Sequence, residues 1–226
     1  MQLANRGVQV TLIDMKPHKM TPAHHSPDFG ELVCSNSLKA KRLESAGGLL
    51  KAEMEVLNSL CVKTAYSCAV PAGGALAVDR GAFSQKITQA VTGHPNITVV
   101  CDEITQIPEG VCVIATGPLT SDAFFEHLRQ ELGMGTLHFF DAAAPIVTAE
   151  SVDMNHAFAA SRYERGGEDD YLNCPMNKEE YEAFIRELVS AEEAEVHGFE
   201  DKRVFEGCMP VEVMARRGVD TLRYGP

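Results

Sequence analysis

Leu3-Ala4-Asn5-Arg6-Gly7-Val8-Gln9-Val10-Thr11-Leu12-Ile13-Asp14 is the stretch whose reading decides the fold class. Its first half reads as the last turn of a helix stopped by Gly7. Val8 to Ile13 alternates or runs apolar, as a strand does, and closes on an acid, Asp14. In a dinucleotide-binding unit, a strand, a glycine-rich turn and a helix precede a second strand that ends in an acidic residue. That residue lies about 20 positions after the glycines and binds a ribose hydroxyl. The glycine-rich turn and first strand would then fall ahead of Met1. An Asp that merely ends a strand is the commoner case, so Asp14 gains weight only from the residues that follow.

A Pro- and His-rich loop occupies Lys16 to Asp28, and two helical stretches come next. Leu50, Met54, Leu57 and Cys61 fall at helical spacing, which predicts Cys61 in the core. Pro71-Ala72-Gly73-Gly74-Ala75 reads as a tight turn. Phe83, Ile87 and Val91 mark a short amphipathic helix closed by Gly93-His94-Pro95. Ile97-Thr98-Val99-Val100-Cys101 reads as a strand, and Val111-Cys112-Val113-Ile114-Ala115 as a second, fully buried one, with Cys101 and Cys112 as inert fillers. This alternation predicts an α/β architecture. The second strand runs into Thr116-Gly117-Pro118, where small residues allow a cofactor close to the backbone. With Asp14, this turn resembles the two-dinucleotide-binding flavoproteins, so the expected fold is an incomplete Rossmann-like domain of that type. After it the character changes, and Lys178 to Val196 reads as one helix with Tyr181, Phe184, Ile185, Leu188 and Val189 on one face. The expected division is a partial cofactor domain over 1–145 and a smaller α+β insertion domain over 146–226.

A chain of 226 residues with 45% hydrophobic and 23% charged residues has the composition of an ordinary globular protein. No apolar run is long enough to span a bilayer, and no signal peptide is evident, so no membrane partner is expected. Seven cysteines without close pairing fit reduced thiols and a cytoplasmic location. The net charge of −12 argues against a general nucleic-acid-binding surface but not against a local basic site. Lys39, Lys41 and Arg42 follow one cysteine, Cys34. Arg216, Arg217 and Arg223 follow another, Cys208.

Those two cysteines sit in the least generic segments, Glu31-Leu32-Val33-Cys34-Ser35-Asn36-Ser37-Leu38 and Phe205-Glu206-Gly207-Cys208-Met209-Pro210. A reactive thiolate needs partial exposure and hydrogen-bond donors, which small and polar neighbours supply. Cys174, in Asn173-Cys174-Pro175, reads as structural. His24 and His25 could join Cys34 on a metal, but no second ligand pair has metal-like spacing, so no metal is expected.

Several blocks occur in order: Thr21-Pro22-Ala23-His24-His25, the two cysteine segments, Val70-Pro71-Ala72-Gly73-Gly74-Ala75-Leu76-Ala77-Val78-Asp79-Arg80, Ala115-Thr116-Gly117-Pro118-Leu119-Thr120-Ser121, Asp141-Ala142-Ala143-Ala144-Pro145-Ile146-Val147 and Tyr171-Leu172-Asn173-Cys174-Pro175-Met176. Together they resemble the folate- and FAD-dependent tRNA (uracil-5-)-methyltransferases over essentially the whole chain, as an internal portion of such an enzyme. The resemblance implies methylene transfer from 5,10-methylenetetrahydrofolate to a uridine of the tRNA T-loop, with FAD as carrier and reductant and NADPH or NADH as electron source. It implies Cys34 as nucleophile and Cys208 as the proton-handling partner, or the reverse. Asp14, Ala115, Thr116 and Gly117 are the expected cofactor contacts. Arg216 and Arg217 are the expected tRNA phosphate contacts. A homodimer is the expected assembly. Two other readings compete: a non-catalytic RNA-binding or dimerisation fragment of such a flavoprotein, and the related FAD-dependent tRNA wobble-uridine modification subunit.

Overall fold

The computed structural model describes residues 1–21, 23–133, 147–161, 169–193 and 209–224. The chain divides into two compact units. The first is Met1–Gly135 with Ala160–Tyr171, and the second is Thr136–Ala159 with Leu172–Pro226. The expected division at 145/146 falls outside the described residues.

In the first unit a single helical turn, Ala4–Arg6, is stopped by Gly7 at φ 84°, a left-handed conformation that costs glycine little. Strand β1 (Val10–Asp14) follows and pairs in parallel with β5 (Ile97–Cys101), in register from Val10–Ile97 to Asp14–Cys101. Parallel pairing requires a crossover, and the intervening chain supplies it with helices α1 (Ala46–Val56), α2 (Leu60–Ser67) and α3 (Arg80–Thr92). This parallel pair and the mixture of helices and sheets place the unit in the α/β class. The same register leaves Asp14 at the carboxyl end of the pair, the end where open α/β sheets bind ligands.

Within the crossover lies an antiparallel sheet of β2 (Ser37–Ala40), β4 (Ala75–Val78) and β3 (Ala69–Val70), with β4 central. The core joins α2, β4 and α3 through Ala65, Cys68, Leu76, Val78, Phe83, Ile87 and Val91. Phe83, Ile87 and Val91 are the helical stripe expected from the sequence. The turn between β3 and β4 holds Gly73 at φ 56°, and an added Cβ there would stand 2.9 Å from the Tyr171 ring. The Tyr171 hydroxyl donates to the Ala72 carbonyl at 2.7 Å, and the Gly73 amide donates to Asp170 Oδ2.

Two expectations fail in this unit. Leu50, Met54, Leu57 and Cys61 do not share one buried helix. Asn58 takes a left-handed φ of 59° after α1, and Ser59 then caps α2 through the Val62 amide. The break rotates the pattern, so Val62, Ala65 and Cys68 enter the core while Leu50, Leu57 and Cys61 are exposed. Val111–Ala115 forms no strand and is not buried, and Cys112 is exposed on it. An apolar run becomes a strand only beside an edge that accepts its hydrogen bonds, and among the described residues none pairs with it. Helix α4 (Asp122–Leu132) follows, capped by Ser121.

The second unit contains a short antiparallel pair, β6 (Phe158–Ala159) with β7 (Leu172–Asn173), and helices α5 (Lys178–Ser190), α6 (Val211–Arg217) and α7 (Thr221–Tyr224). Asn177 and Glu180 form a reciprocal capping box at the start of α5. That helix buries Ile185, leaves Phe184 and Val189 exposed, and ends at Ser190, earlier than the pattern to Val196 predicts. Among the described residues no helix is long and apolar enough to cross a membrane.

Candidate functional site

The chain leaves β1 through a loop folded around a buried charge. Asp14 Oδ1 accepts the Lys16 backbone amide at 2.9 Å. Lys16 then turns its side chain inward, where its ammonium donates to the carbonyls of Ser26 and Asp28 and lies 3.6 Å from Glu31 Oε2. Glu31 Oε1 accepts the His25 and Ser26 amides at 2.7 and 3.0 Å. Its Oε2 is buried without a hydrogen-bond partner among the described residues, so the ion pair is its compensation. His24 is held by Thr21 Oγ1 at 2.7 Å from Nδ1. Burial first, and then the Lys16 ammonium, holds its imidazole below the ordinary histidine pKa. This loop joins the end of β1 to the Cys34 segment.

Cys34 is exposed. Its segment is fixed on both sides. Upstream, the Phe29 amide donates to Thr88 Oγ1 on α3 at 2.8 Å. Gly30, at φ 70°, approaches Ile87 so closely that a Cβ would stand 3.3 Å from it. Downstream, Asn36 clasps Val78 twice: its carbonyl accepts the Val78 amide at 2.9 Å, and its Nδ2 donates to the Val78 carbonyl at 3.1 Å. Arg80, the first residue of α3, donates from Nη2 to the Cys34 carbonyl at 3.3 Å. The result is an open thiol on a held backbone, the arrangement a nucleophile requires.

Asp14 is half-buried at the carboxyl end of β1, and its Oδ1 accepts the Lys16 amide. Ala115, Thr116 and Gly117 are exposed. Gly117 has φ 65° and nothing within 4 Å of an added Cβ, and Thr116 Oγ1 lies 2.6 Å from Thr120 Oγ1. Ala115 and Thr116 lead into the single helical turn Gly117–Leu119, and their small side chains leave the backbone there open to a ligand.

Cys208 lies outside the described residues. Arg216 and Arg217 end α6 in the second unit, and Arg216 is ion-paired with Glu193. Among the described residues no group of three or more His, Cys, Asp or Glu is arranged to hold a metal ion. Sequence reasoning missed Lys16, Glu31, Asn36 and Arg80 as site-building residues. Glu31, Asn36 and Arg80 lie inside the blocks quoted above, but no periodicity reports the hydrogen bonds that Asn36 makes to Val78 and Arg80 to Cys34.

The sequence model of the family described as "Glucose inhibited division protein A" matches residues 1–226. Curated relatives named methylenetetrahydrofolate--tRNA-(uracil-5-)-methyltransferase TrmFO are similar over the whole chain. The protein of Acetivibrio thermocellus is 60% identical over 226 residues, which are 52% of its length. That of Lactobacillus helveticus is 58% identical, over 55% of its length, and that of Moorella thermoacetica 58%, over 52%. The chain thus spans about half the length of the curated relatives it matches.

Proposed function

The chain belongs to the glucose inhibited division protein A family, and on that premise we propose that it is part of a folate- and FAD-dependent enzyme that methylates uridine at position 5 in the T-loop of tRNA. The single observation that carries this reading is the exposed Cys34 thiol on a backbone fastened by Asn36 and Arg80. Position 5 of uracil is a poor nucleophile. A thiolate adding to position 6 makes position 5 enolate-like, able to attack an electrophilic methylene. A base then removes the proton at position 5, and the thiolate leaves as the double bond re-forms. Cys34 supplies the attacking sulfur in this reading, and Cys208 handles the proton. Asp14 holds a ribose hydroxyl, and Ala115, Thr116 and Gly117 give the cofactor room. Reduced FAD, when bound, would supply the reducing equivalents that turn methylene into methyl, and NADPH or NADH would restore them. Arg216 and Arg217 contribute tRNA contacts, and the enzyme acts as a homodimer in the cytoplasm.

The test is a T-loop RNA carrying 5-fluorouridine, which puts fluorine where the departing proton would be, so that the thiol adduct cannot collapse. The expected result is a covalent protein–RNA species that Cys34→Ala abolishes. An adduct unchanged by both Cys34→Ala and Cys208→Ala overturns the assignment. The competing reading is a non-catalytic RNA-binding or dimerisation fragment of such a flavoprotein. Flavin absorbance in the purified chain separates the two.

A further inference from the structure

Arg80 does more at this site than fasten a loop. Its backbone is fixed: Asp79 caps α3 through the Ala82 amide at 2.9 Å, and the Asp79 amide donates to the Cys68 carbonyl at 2.9 Å. Its guanidinium is placed beside Cys34 by the 3.3 Å contact from Nη2 to that residue's carbonyl. One long hydrogen bond uses one of five N–H donors. Among the described residues no carboxylate lies within ion-pair distance of Arg80, in a chain with 32 acidic residues against 20 basic ones. Arg129, by contrast, grips Glu126 with two donors, and Arg216 is ion-paired with Glu193. Arg80 therefore presents a planar fork, without a carboxylate partner among the described residues, at the backbone of the exposed Cys34.

A planar fork of N–H donors matches phosphate oxygens, and in nucleic-acid complexes phosphate contacts set register while other groups read or act on the base. Any uridine in RNA that brings its ring to the Cys34 sulfur brings its own flanking phosphates to the same neighbourhood. We propose that Arg80 is a phosphate contact for the RNA, holding the backbone of the nucleotide that Cys34 addresses. The inference rests on the reading of Cys34 given above. It gives a chain of net charge −12 one local anchor for a polyanion where the chemistry would need it.

The experiment measures binding of a short uridine-containing stem–loop RNA to the 226-residue chain over a range of salt concentrations. Arg80→Gln keeps a donor for the Cys34 carbonyl and drops the charge, while Arg80→Lys keeps the charge. Loss of one phosphate contact lowers the slope of log K against log salt by about 0.7 for single-stranded RNA. Arg80→Gln is expected to show that drop, and Arg80→Lys to retain most of the slope. An unchanged slope in Arg80→Gln, or no RNA binding by the wild-type chain, overturns the contact. An Arg80-dependent slope with no 5-fluorouridine adduct supports the contact and sinks the thiol reading alone.

Discussion

Lys16 is 6% exposed and its partner Glu31 12%, so their charges sit where water cannot screen them. An exposed pair is worth about 0–1 kcal/mol, but deleting one member of a buried pair strands the other and costs about 3–5 kcal/mol. Glu31 is the member that would be stranded, because its Oε2 has no hydrogen bond among the described residues. Lys16→Met is therefore expected to lower the unfolding free energy by about 3 kcal/mol in urea titrations. The double variant Lys16→Met, Glu31→Leu is expected to lose less than Lys16→Met alone, because no orphaned charge remains. A single-variant loss below about 1 kcal/mol would place the pair among surface pairs and remove its role as the post of this loop. None of this is legible in the sequence, where Lys16 only opens a Pro- and His-rich loop. A lone lysine carries no signal of the direction its side chain takes. The exposure of Cys34 is legible, because small and polar neighbours leave a thiol open.

At the scale of elements, the junction from β2 to α1 turns on which of two adjacent glycines is obligatory. Ser45 caps α1 by accepting the Gly48 amide, and the buried Lys51 ties the two elements by donating to the carbonyls of Ala40 and Gly47 at 3.0 and 2.9 Å. A Cβ on Gly48 would stand 1.8 Å from the Arg42 carbonyl oxygen and 2.4 Å from its carbon. These are backbone atoms, which cannot swing aside as a side-chain tip can. A Cβ on Gly47 meets nothing closer than 3.6 Å. Glycine in a helix usually costs about 1 kcal/mol relative to alanine, so Gly47→Ala is expected to be neutral or stabilising by up to about that amount. Gly48→Ala is expected to reverse the sign and destabilise by about 3 kcal/mol, at the upper end of overpacking costs. Equal effects at the two positions in urea titrations would refute the close approach of Arg42. The sequence displays Gly47-Gly48 as a symmetric pair, because the asymmetry resides in a chain segment that folds back from Arg42.

For the whole molecule, legibility follows the range of the interaction that decides each feature. Gly7 as a stop, Asp14 as a strand end and the Phe83, Ile87, Val91 stripe are set by neighbours within a few positions, and each is found where the pattern puts it. Val111–Ala115 has the composition of a buried parallel strand, yet Val111 is 107% exposed and Val113 83%. Composition records that a segment can be buried; a ladder partner decides whether it is, and the two-stranded sheet of β1 and β5 takes in no third strand among the described residues. The two outcomes differ in stability by an amount easily measured. Burying a valine side chain is worth about 1.5 kcal/mol or more, so a buried strand predicts a loss of about 3 kcal/mol when both valines become serine. Exposed positions instead change stability by no more than about 0.5 kcal/mol. Val111→Ser with Val113→Ser is therefore expected to leave the urea midpoint and slope of the chain near wild type. A loss above about 2 kcal/mol would return this segment to the core and restore the strand that the sequence alone predicts.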